Sequence, residues 1–251
     1  MTGIIQTKDG VRFRLLNEHD RIGRFLRNEG SYEPQLQKIT QQLLDRLTPR
    51  TGLLIDAGAN MGTYCLPLAR HNPAIRVAAF EVQARVFAQL EENIALNALP
   101  NVKAYHAGLS DRAETVTASI PDYETEANIG AFSLDPEVRD NDYEIASQGG
   151  TEEFPLRTLD SFGFRDVLLL KVDVEGMEAK VLQGARRTLA ANNFPPILFE
   201  AWTWKSFYRT RRDELARALT DTGYRITPVG ENNIAQHVSR GDTVNFVVRG
   251  A

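Results

Sequence analysis

Four short apolar runs, at 53–55, 75–80, 167–172 and 196–199, alternate with amphipathic stretches at 63–70, 83–97 and 177–191. No other feature of the 251-residue chain constrains its fold as strongly. The runs lack the polar–apolar alternation of a strand with one wet face and are rich in aliphatic residues, as strands covered on both faces require. The stretches between them repeat their apolar residues at helical spacing. Strand, helix, strand, helix in this order predicts a parallel sheet wound by crossovers, hence an α/β fold.

The flanks differ. Ile5, Val11, Phe13 and Leu15 alternate loosely around Asp9-Gly10, which predicts a small hairpin. Leu36, Ile39, Leu43, Leu44 and Leu47 recur at helical spacing and predict a lid or entry helix within 32–47. At the other end a helix over 211–221 stops at Gly223. YRITPV and TVNFVVRG follow, separated by a polar stretch holding Gly230, Asn232 and Asn233, and predict two late strands forming an antiparallel edge. The expected organisation is a sheet domain over 51–251 preceded by an N-terminal extension over 1–50. Residues 121–155 are acidic, glycine-rich and weakly periodic, and are expected as a long insertion or loop.

Composition narrows the partners. With 42% hydrophobic and 25% charged residues the chain has material for a sizeable core. A formal net charge of -4 provides no field to attract a polyanion, which argues against nucleic acid. No run approaches the roughly 18–20 apolar residues of a membrane span, and the N-terminus lacks the cationic-then-apolar order of a signal peptide. The single cysteine, Cys65, cannot form an internal disulfide; it is expected as a small core residue in a cytoplasmic protein.

The run at 53–55 leads into Asp56-Ala-Gly58-Ala-Asn60-Met-Gly62. Gly58 allows a tight reversal, Asn60 tolerates a left-handed conformation, and Gly62 lets a helix begin close to a ligand. Such a strand–turn–helix points backbone N–H groups above the sheet, at the C-terminal strand ends. A dinucleotide fingerprint is the first rival, since Glu81 ends the second strand where a carboxylate would accept both ribose hydroxyls. The spacing, however, is G-x-N-x-G, and Asp56 sets a negative charge beside the place a pyrophosphate would occupy, a repulsion of a few kcal/mol in a partly desolvated cleft. S-adenosylmethionine carries an ammonium, a carboxylate and a sulfonium instead of phosphates. Asp56 would draw its positive end, the turn amides would face its carboxylate, and Glu81 would hold its ribose. An NAD-type oxidoreductase and a non-catalytic cofactor-binding domain are the competing readings; Asp56 is also suited to cap the next helix, and Glu81 to start one.

IDAGANMGTYCLPLA with FEVQ after it, which includes Glu81 and Val82, resembles motif I and its successor in class I methyltransferases. LLLKVDVEGMEAKVLQGA, preceded by FPLRTLDSF, looks like the hallmark block of FkbM-type methyltransferases, and the resemblance runs from about Gly30 through the late strands. It implies a Rossmann-like class I methyltransferase sheet and S-adenosylmethionine as cofactor, S-adenosylhomocysteine being its product. By the same resemblance His106, Ala107, Gly108, Leu109 and Asp111 border the adenine, and Tyr32 and Glu33 belong to a short acidic motif lying over the cofactor. Ser-Asp at 110–111 is also an ordinary turn, and Ser31 an ordinary helix cap.

Methyl transfer from a sulfonium is an in-line displacement, so the protein must align the acceptor and, for a hydroxyl, help remove its proton. Asp173 and Glu175 lie where the fourth run ends, with Lys171 on the same face as Asp173. A Lys-x-Asp pair there is costly unless paired or functional. These three are the catalytic candidates, although Lys171 and Asp173 are also able simply to neutralise each other, with Glu175 capping a helix at Gly176. Glu200, Trp202 and Trp204 end and follow the fifth run and are candidates for the acceptor pocket, with Phe207 and Tyr208 nearby. NIGAFSL at 128–134 resembles a recurring family element and adds Asn128 and Ser133. Asp173, Glu175 and Glu200 would suit Mg²⁺ if they converge, but nothing in their spacing demands a metal. His237 is within reach of the cleft or structural; Arg211 and Arg212 read as a solvated helix start. The expected activity is O-methylation of a small molecule, the oxygen being inherited from the resemblance.

Overall fold

The computed structural model describes residues 3–17, 19–47, 51–125, 128–141, 147–200 and 206–244. The chain begins with an antiparallel hairpin, β1 (Ile4–Gln6) and β2 (Arg12–Arg14), turning at Gly10. Helix α1 (Arg21–Glu29) follows, which the hydrophobic pattern alone did not reveal. Its caps were visible: Asp20 accepts the Gly23 N–H at 2.9 Å, and Gly30 closes the helix at φ 67°. The helix expected within 32–47 is α2 (Pro34–Arg46).

The core then alternates as the sequence predicts: β3 (Gly52–Ala57), α3 (Cys65–His71), β4 (Ile75–Glu81), α4 (Ala84–Leu96) and β5 (Val102–His106). A second, three-stranded sheet intervenes, built from β6 (Gly108–Leu109), β7 (Glu114–Pro121) and β8 (Ser147–Arg157), with a short helix α5 (Pro136–Asn141) before β8. The stretch expected as a long loop over 121–155 is therefore strand at its end. Its periodicity is weak because the second sheet buries few residues, among them Ala118, Phe154 and Leu156, against Leu134 and Met177.

The main sheet resumes with β9 (Val167–Val172), then α6 (Glu178–Gln183), α7 (Arg186–Ala191), β10 (Ile197–Glu200), α8 (Ser206–Asp221), β11 (Tyr224–Val229) and β12 (Asn232–His237). The single helix expected over 177–191 is broken at Gly184. A Cβ there would lie 2.0 Å from the Ser110 carbonyl oxygen, so the helix yields to the loop after β6.

Among the described residues the seven strands are ordered β11-β12-β10-β9-β3-β4-β5. All neighbours from β10 to β5 pair in parallel, and β12 runs antiparallel to both β10 and β11. A late strand the sequence did not predict lies at 232–237; TVNFVVRG, expected as a late strand, has its residues 245–250 outside the described ones. Gly230 and Glu231 form a two-residue turn with Val229 opposite Asn232, so the polar stretch read as a separator is the strand itself. Its buried Gln236 exchanges hydrogen bonds of 2.8 and 2.7 Å with the backbone of Val244.

Helices cover both sheet faces. Leu54, Leu169 and Leu198 pack with residues of α1 to α4; Ile55, Leu170 and Phe199 pack with residues of α6, α7 and α8. Cys65 is buried in the first of these cores. No helix among the described residues is long and apolar enough to cross a membrane.

Candidate active site

At the C-terminal end of β3 the chain turns through Gly58 (φ 83°), Asn60 (φ 50°) and Gly62 (φ 93°). Gly58 has a tertiary reason as well: a Cβ there would lie 1.8 Å from the carbonyl oxygen of Asp173. The turn's amides are committed internally. Gly58 and Ala59 donate to the Phe80 carbonyl at 3.1 and 2.8 Å, Gly62 to Ala59, Asn60 to Glu81 Oε2 at 3.0 Å, and Met61 to Asn60 Oδ1 at 2.7 Å. Among the described residues the first amides here without such a bond are those of Thr63 and Tyr64, at the start of α3. The tight turn uses its own N–H groups to hold its shape, so the unbonded amides lie one step further along.

Beside this turn a buried charge cluster closes. Asp56 and Lys171 are register neighbours on β3 and β9. Lys171 Nζ lies 3.4 Å from Asp56 Oδ1 and 3.2 Å from Asp173 Oδ2, above the Tyr64 ring at 5.2 Å. Burial alone would lower Lys171's pKa, but Asp56, Asp173 and Glu33 outweigh it and hold the lysine well above its ordinary value. Asp56 is 0% exposed, and burial pushes its carboxyl up against the pull of Lys171. The charge of Asp56 is met by Lys171, although neither of its oxygens has a hydrogen bond of good geometry among the described residues.

Glu33 precedes α2 in a left-handed conformation and joins the cluster. Burial and the carboxylates of Asp173, Asp56 and Glu231 raise its pKa to about 7, with Lys171 opposing. Glu200 ends β10 on the same side; burial, then Asp173 and Glu33, bring it up to about 8. Tyr32 stands among the same groups, its hydroxyl pushed up by burial, Glu33, Asp173 and Glu200. Lys171 thus faces Asp56, Asp173, Glu33 and Glu200.

The turn after β9 is held by residues the sequence reading undervalued. Glu178 Oε1 accepts the N–H groups of Val174 and Gly176 at 3.1 and 3.2 Å, and burial raises its pKa to about 7. Glu178, rather than Glu175, receives the turn's amides. The signal was the E-G-x-E spacing, an acid in the first turn of a helix reaching back over its own start. Glu175 itself has φ 52°, and its carbonyl accepts the Ser133 hydroxyl at 2.6 Å. Ser133 also accepts the Asp135 N–H at 3.0 Å, so its hydroxyl ties 128–135 to the turn rather than standing free. Asn128 precedes a 3-10 turn at Ile129–Ala131, and a Cβ on Gly130 would lie 3.0 Å from Asn60 Nδ2. The segment therefore runs from the glycine turn to the Asp173–Gly176 turn.

Asp173, Glu175, Glu178, Glu200, Tyr208 and Arg211 line one cleft. Arg211 is not a solvated helix start. It contacts Asp135 at 3.0 Å, Glu137 at 3.1 Å and Glu214 at 3.2 Å, because Asp135 is 1% exposed and needs a cation. Arg212 pairs with Asp213 at 2.7 Å. Trp202 and Trp204 lie outside the described residues. His237 is at the opposite end of the sheet, since β12 runs antiparallel; it bonds the Thr222 carbonyl and the Ser239 hydroxyl and stacks on Phe194. Among the described residues no group of three or more His, Cys, Asp or Glu side chains is arranged to hold a metal ion.

On the far side of the glycine turn, Glu81 is 6% exposed and accepts the Asn60 and Gln83 N–H groups at 3.0 and 2.8 Å. Burial raises its pKa to about 7 against these bonds. Gln83, which sequence reasoning missed, also accepts the Tyr123 hydroxyl at 3.2 Å and so links Glu81 to the stretch after β7. Val82 is half-buried, with its carbonyl 3.1 Å from His106 Nε2. Ala107 is buried, whereas Gly108 and Leu109 form β6 and pair with Leu156 and Arg157 in the second sheet. Leu109 is 2% exposed and joins an apolar cluster, and Asp111 accepts the Ser110 hydroxyl at 3.1 Å.

A family model described as the methyltransferase FkbM domain matches residues 56–226. Methyltransferase sdnD of Sordaria araneosa is 30% identical over 210 residues, covering 71% of this chain and 76% of that protein. The 2-O-methyltransferase NoeI of Sinorhizobium fredii is 23% identical over 195 residues, covering 74% and 77%. A solved structure of methyltransferase FkbM from Methylobacillus flagellatus aligns with a TM-score of 0.49 at 17% identity, over 76% of this chain and 47% of that one. The chain belongs to the FkbM methyltransferase family.

Proposed function

We propose that this methyltransferase uses S-adenosylmethionine to methylate a hydroxyl oxygen on a small molecule, a sugar or a natural product. One observation carries the reading: among the described residues, Lys171 alone is set against Asp56, Asp173, Glu33 and Glu200 on this side of the sheet. Such a surplus favours a cationic donor and disfavours a pyrophosphate, each nearby charge being worth about 4 kcal/mol at 4 Å in a partly screened site. The relative named as a 2-O-methyltransferase supports oxygen as the acceptor atom.

The residues present fit the cofactor. Asp56 keeps oxygens without hydrogen bonds, and Thr63 and Tyr64 keep uncommitted amides suited to a carboxylate. Glu81 has two N–H partners and, with about four acceptor positions on a carboxylate, room for ribose hydroxyls. Val82, Ala107, Gly108, Leu109 and Asp111 would border the adenine, and Tyr32 and Glu33 would cover the methionine end. When bound, the cofactor supplies an electrophilic methyl group on a cationic sulfur.

The chain's own part is alignment and proton handling. Lys171 holds Asp173 Oδ2 at 3.2 Å, and Asp173 would accept a hydrogen bond from the acceptor hydroxyl and aim its oxygen. Glu178 and Ser133 hold the turn carrying Asp173 and Glu175, and Asn128 belongs to the wall beside it. Residues 51–251 would form the transferase unit and 1–50 an extension contributing Tyr32 and Glu33. The acidic cleft disfavours a nucleic-acid substrate, and the buried, unpaired Cys65 suits the cytoplasm.

Calorimetric titration with S-adenosylmethionine, S-adenosylhomocysteine and NAD tests the reading. Micromolar binding of both sulfur compounds without NAD supports it, with methyl-labelled transfer to a panel of hydroxylated acceptors as the next step. Binding of NAD alone refutes it.

A further inference from the structure

We propose that Glu200 receives the proton of the acceptor hydroxyl, and that seating the cationic methyl donor first expels a proton from Glu200 itself. The inference rests on the reading of this site as one for S-adenosylmethionine.

Position is the first argument. Phe199 is the register partner of Val172, so Glu200 follows on beside Asp173, and both line the cleft. Partners are the second. Lys171 is committed to Asp56 and Asp173 at 3.4 and 3.2 Å, Arg211 to Asp135, Glu137 and Glu214, and Arg212 to Asp213. Among the described residues the carboxylate of Glu200 has no ion pair or hydrogen bond of its own, its backbone being paired in the sheet. The groups acting on it are Asp173, Glu33 and Glu231, with Lys171 opposing and Tyr32 close by; Glu175 and Glu178 share its cleft. Burial and these carboxylates bring its pKa up to about 8, so without ligand it holds a proton at neutral pH.

Asp173 is less suited to taking a proton. Protonating it would leave Lys171, 6% exposed at its side chain, with one fewer counter-charge in a buried site. Glu200 has no such bond to break. A positive charge arriving in a cluster with surplus carboxylates lowers the pKa of Glu200, and its proton goes to solvent. In the transfer, Glu200 takes the hydroxyl proton as the acceptor oxygen bonds to the methyl carbon. The carbon–sulfur bond breaks with its electron pair left on sulfur. The product is a neutral thioether beside a neutral Glu200, the same proton count as before binding.

The test compares S-adenosylmethionine with S-adenosylhomocysteine, which share the ribose, amino and carboxylate groups, so Glu81 and other common contacts cancel. Calorimetry in buffers of different ionisation enthalpy at pH 7 reads protons released. The expected result is release of most of one proton more for the sulfonium compound, with its advantage over the thioether increasing by up to about tenfold for each unit that the pH rises toward the pKa of Glu200. Glu200→Gln should bind the thioether normally, which shows that it folds, and lose the difference. Equal proton release for both compounds, or a difference that survives in Glu200→Gln, would overturn the assignment while the cofactor reading stands. Absence of binding by either compound would overturn both.

Discussion

Replacing Lys171 with methionine removes the cation that Asp56 and Asp173 share while keeping most of the side chain's bulk. At 3.4 and 3.2 Å each pair is worth about 5 kcal/mol gross at an effective dielectric near 20. Much of that is offset in the wild type by the desolvation of three charges. Removing one partner keeps the desolvation and loses the attraction, a net cost of about 3–5 kcal/mol for a buried pair. Each kcal/mol moves the midpoint of a chain this size by about 2–4 °C, so Lys171→Met should lower it by roughly 10 °C at pH 8. The sign of the pH dependence follows from Asp56, whose carboxyl burial already pushes up. Without Lys171 it rises further, so the folded chain holds a proton that the unfolded chain gives up near pH 4. The penalty grows as pH rises toward the folded pKa and is relieved as pH falls. Thermal unfolding followed by circular dichroism at pH 5 and pH 8, with the wild type alongside, reads both effects. A deficit under about 2 °C at pH 8, or one of equal size at both pH values, would refute the argument that Lys171 neutralises a buried cluster.

Three further outcomes are expected. Gly58→Ala forces a side chain into φ 83° and against the Asp173 carbonyl oxygen, which should cost about 2–4 kcal/mol and abolish binding of S-adenosylhomocysteine; calorimetric affinity near that of the wild type would contradict the geometry. Glu81→Gln should weaken S-adenosylhomocysteine about 10- to 100-fold, and because Glu81's pKa is raised to about 7, wild-type affinity should fall below that pH while the variant's stays level. Arg211→Ala leaves Asp135, 1% exposed, without its cation, and should lower the thermal midpoint by several degrees; an unchanged midpoint would show that the Arg211 network contributes nothing.

The core of this fold is legible locally. The runs at 53–55, 75–80 and 167–172 became β3, β4 and β9 with ends shifted by two residues at most, since strands covered on both faces must be continuously apolar. Asn60 and the flanking glycines adopt the left-handed conformations their chemistry allows. Where two signals competed, the local one misled. Asn232 and Asn233 read as a turn, yet pairing on both sides drew them into β12; the acid-rich β8 read as a loop because few of its residues are buried.

By itself, then, the sequence determined the alternating elements, the glycine turn and the acid-bearing strand ends, because propensity and periodicity act over a few residues. Tertiary structure alone decided who meets whom. Lys171 reaches Asp56 because β9 is laid beside β3 in one register, Glu33 and Glu200 arrive from α2 and β10, and Arg211 is drawn to Asp135 by a buried charge needing a partner. Electrostatic interactions depend on distance and burial in space, and neither quantity is written in the separation of residues along the chain.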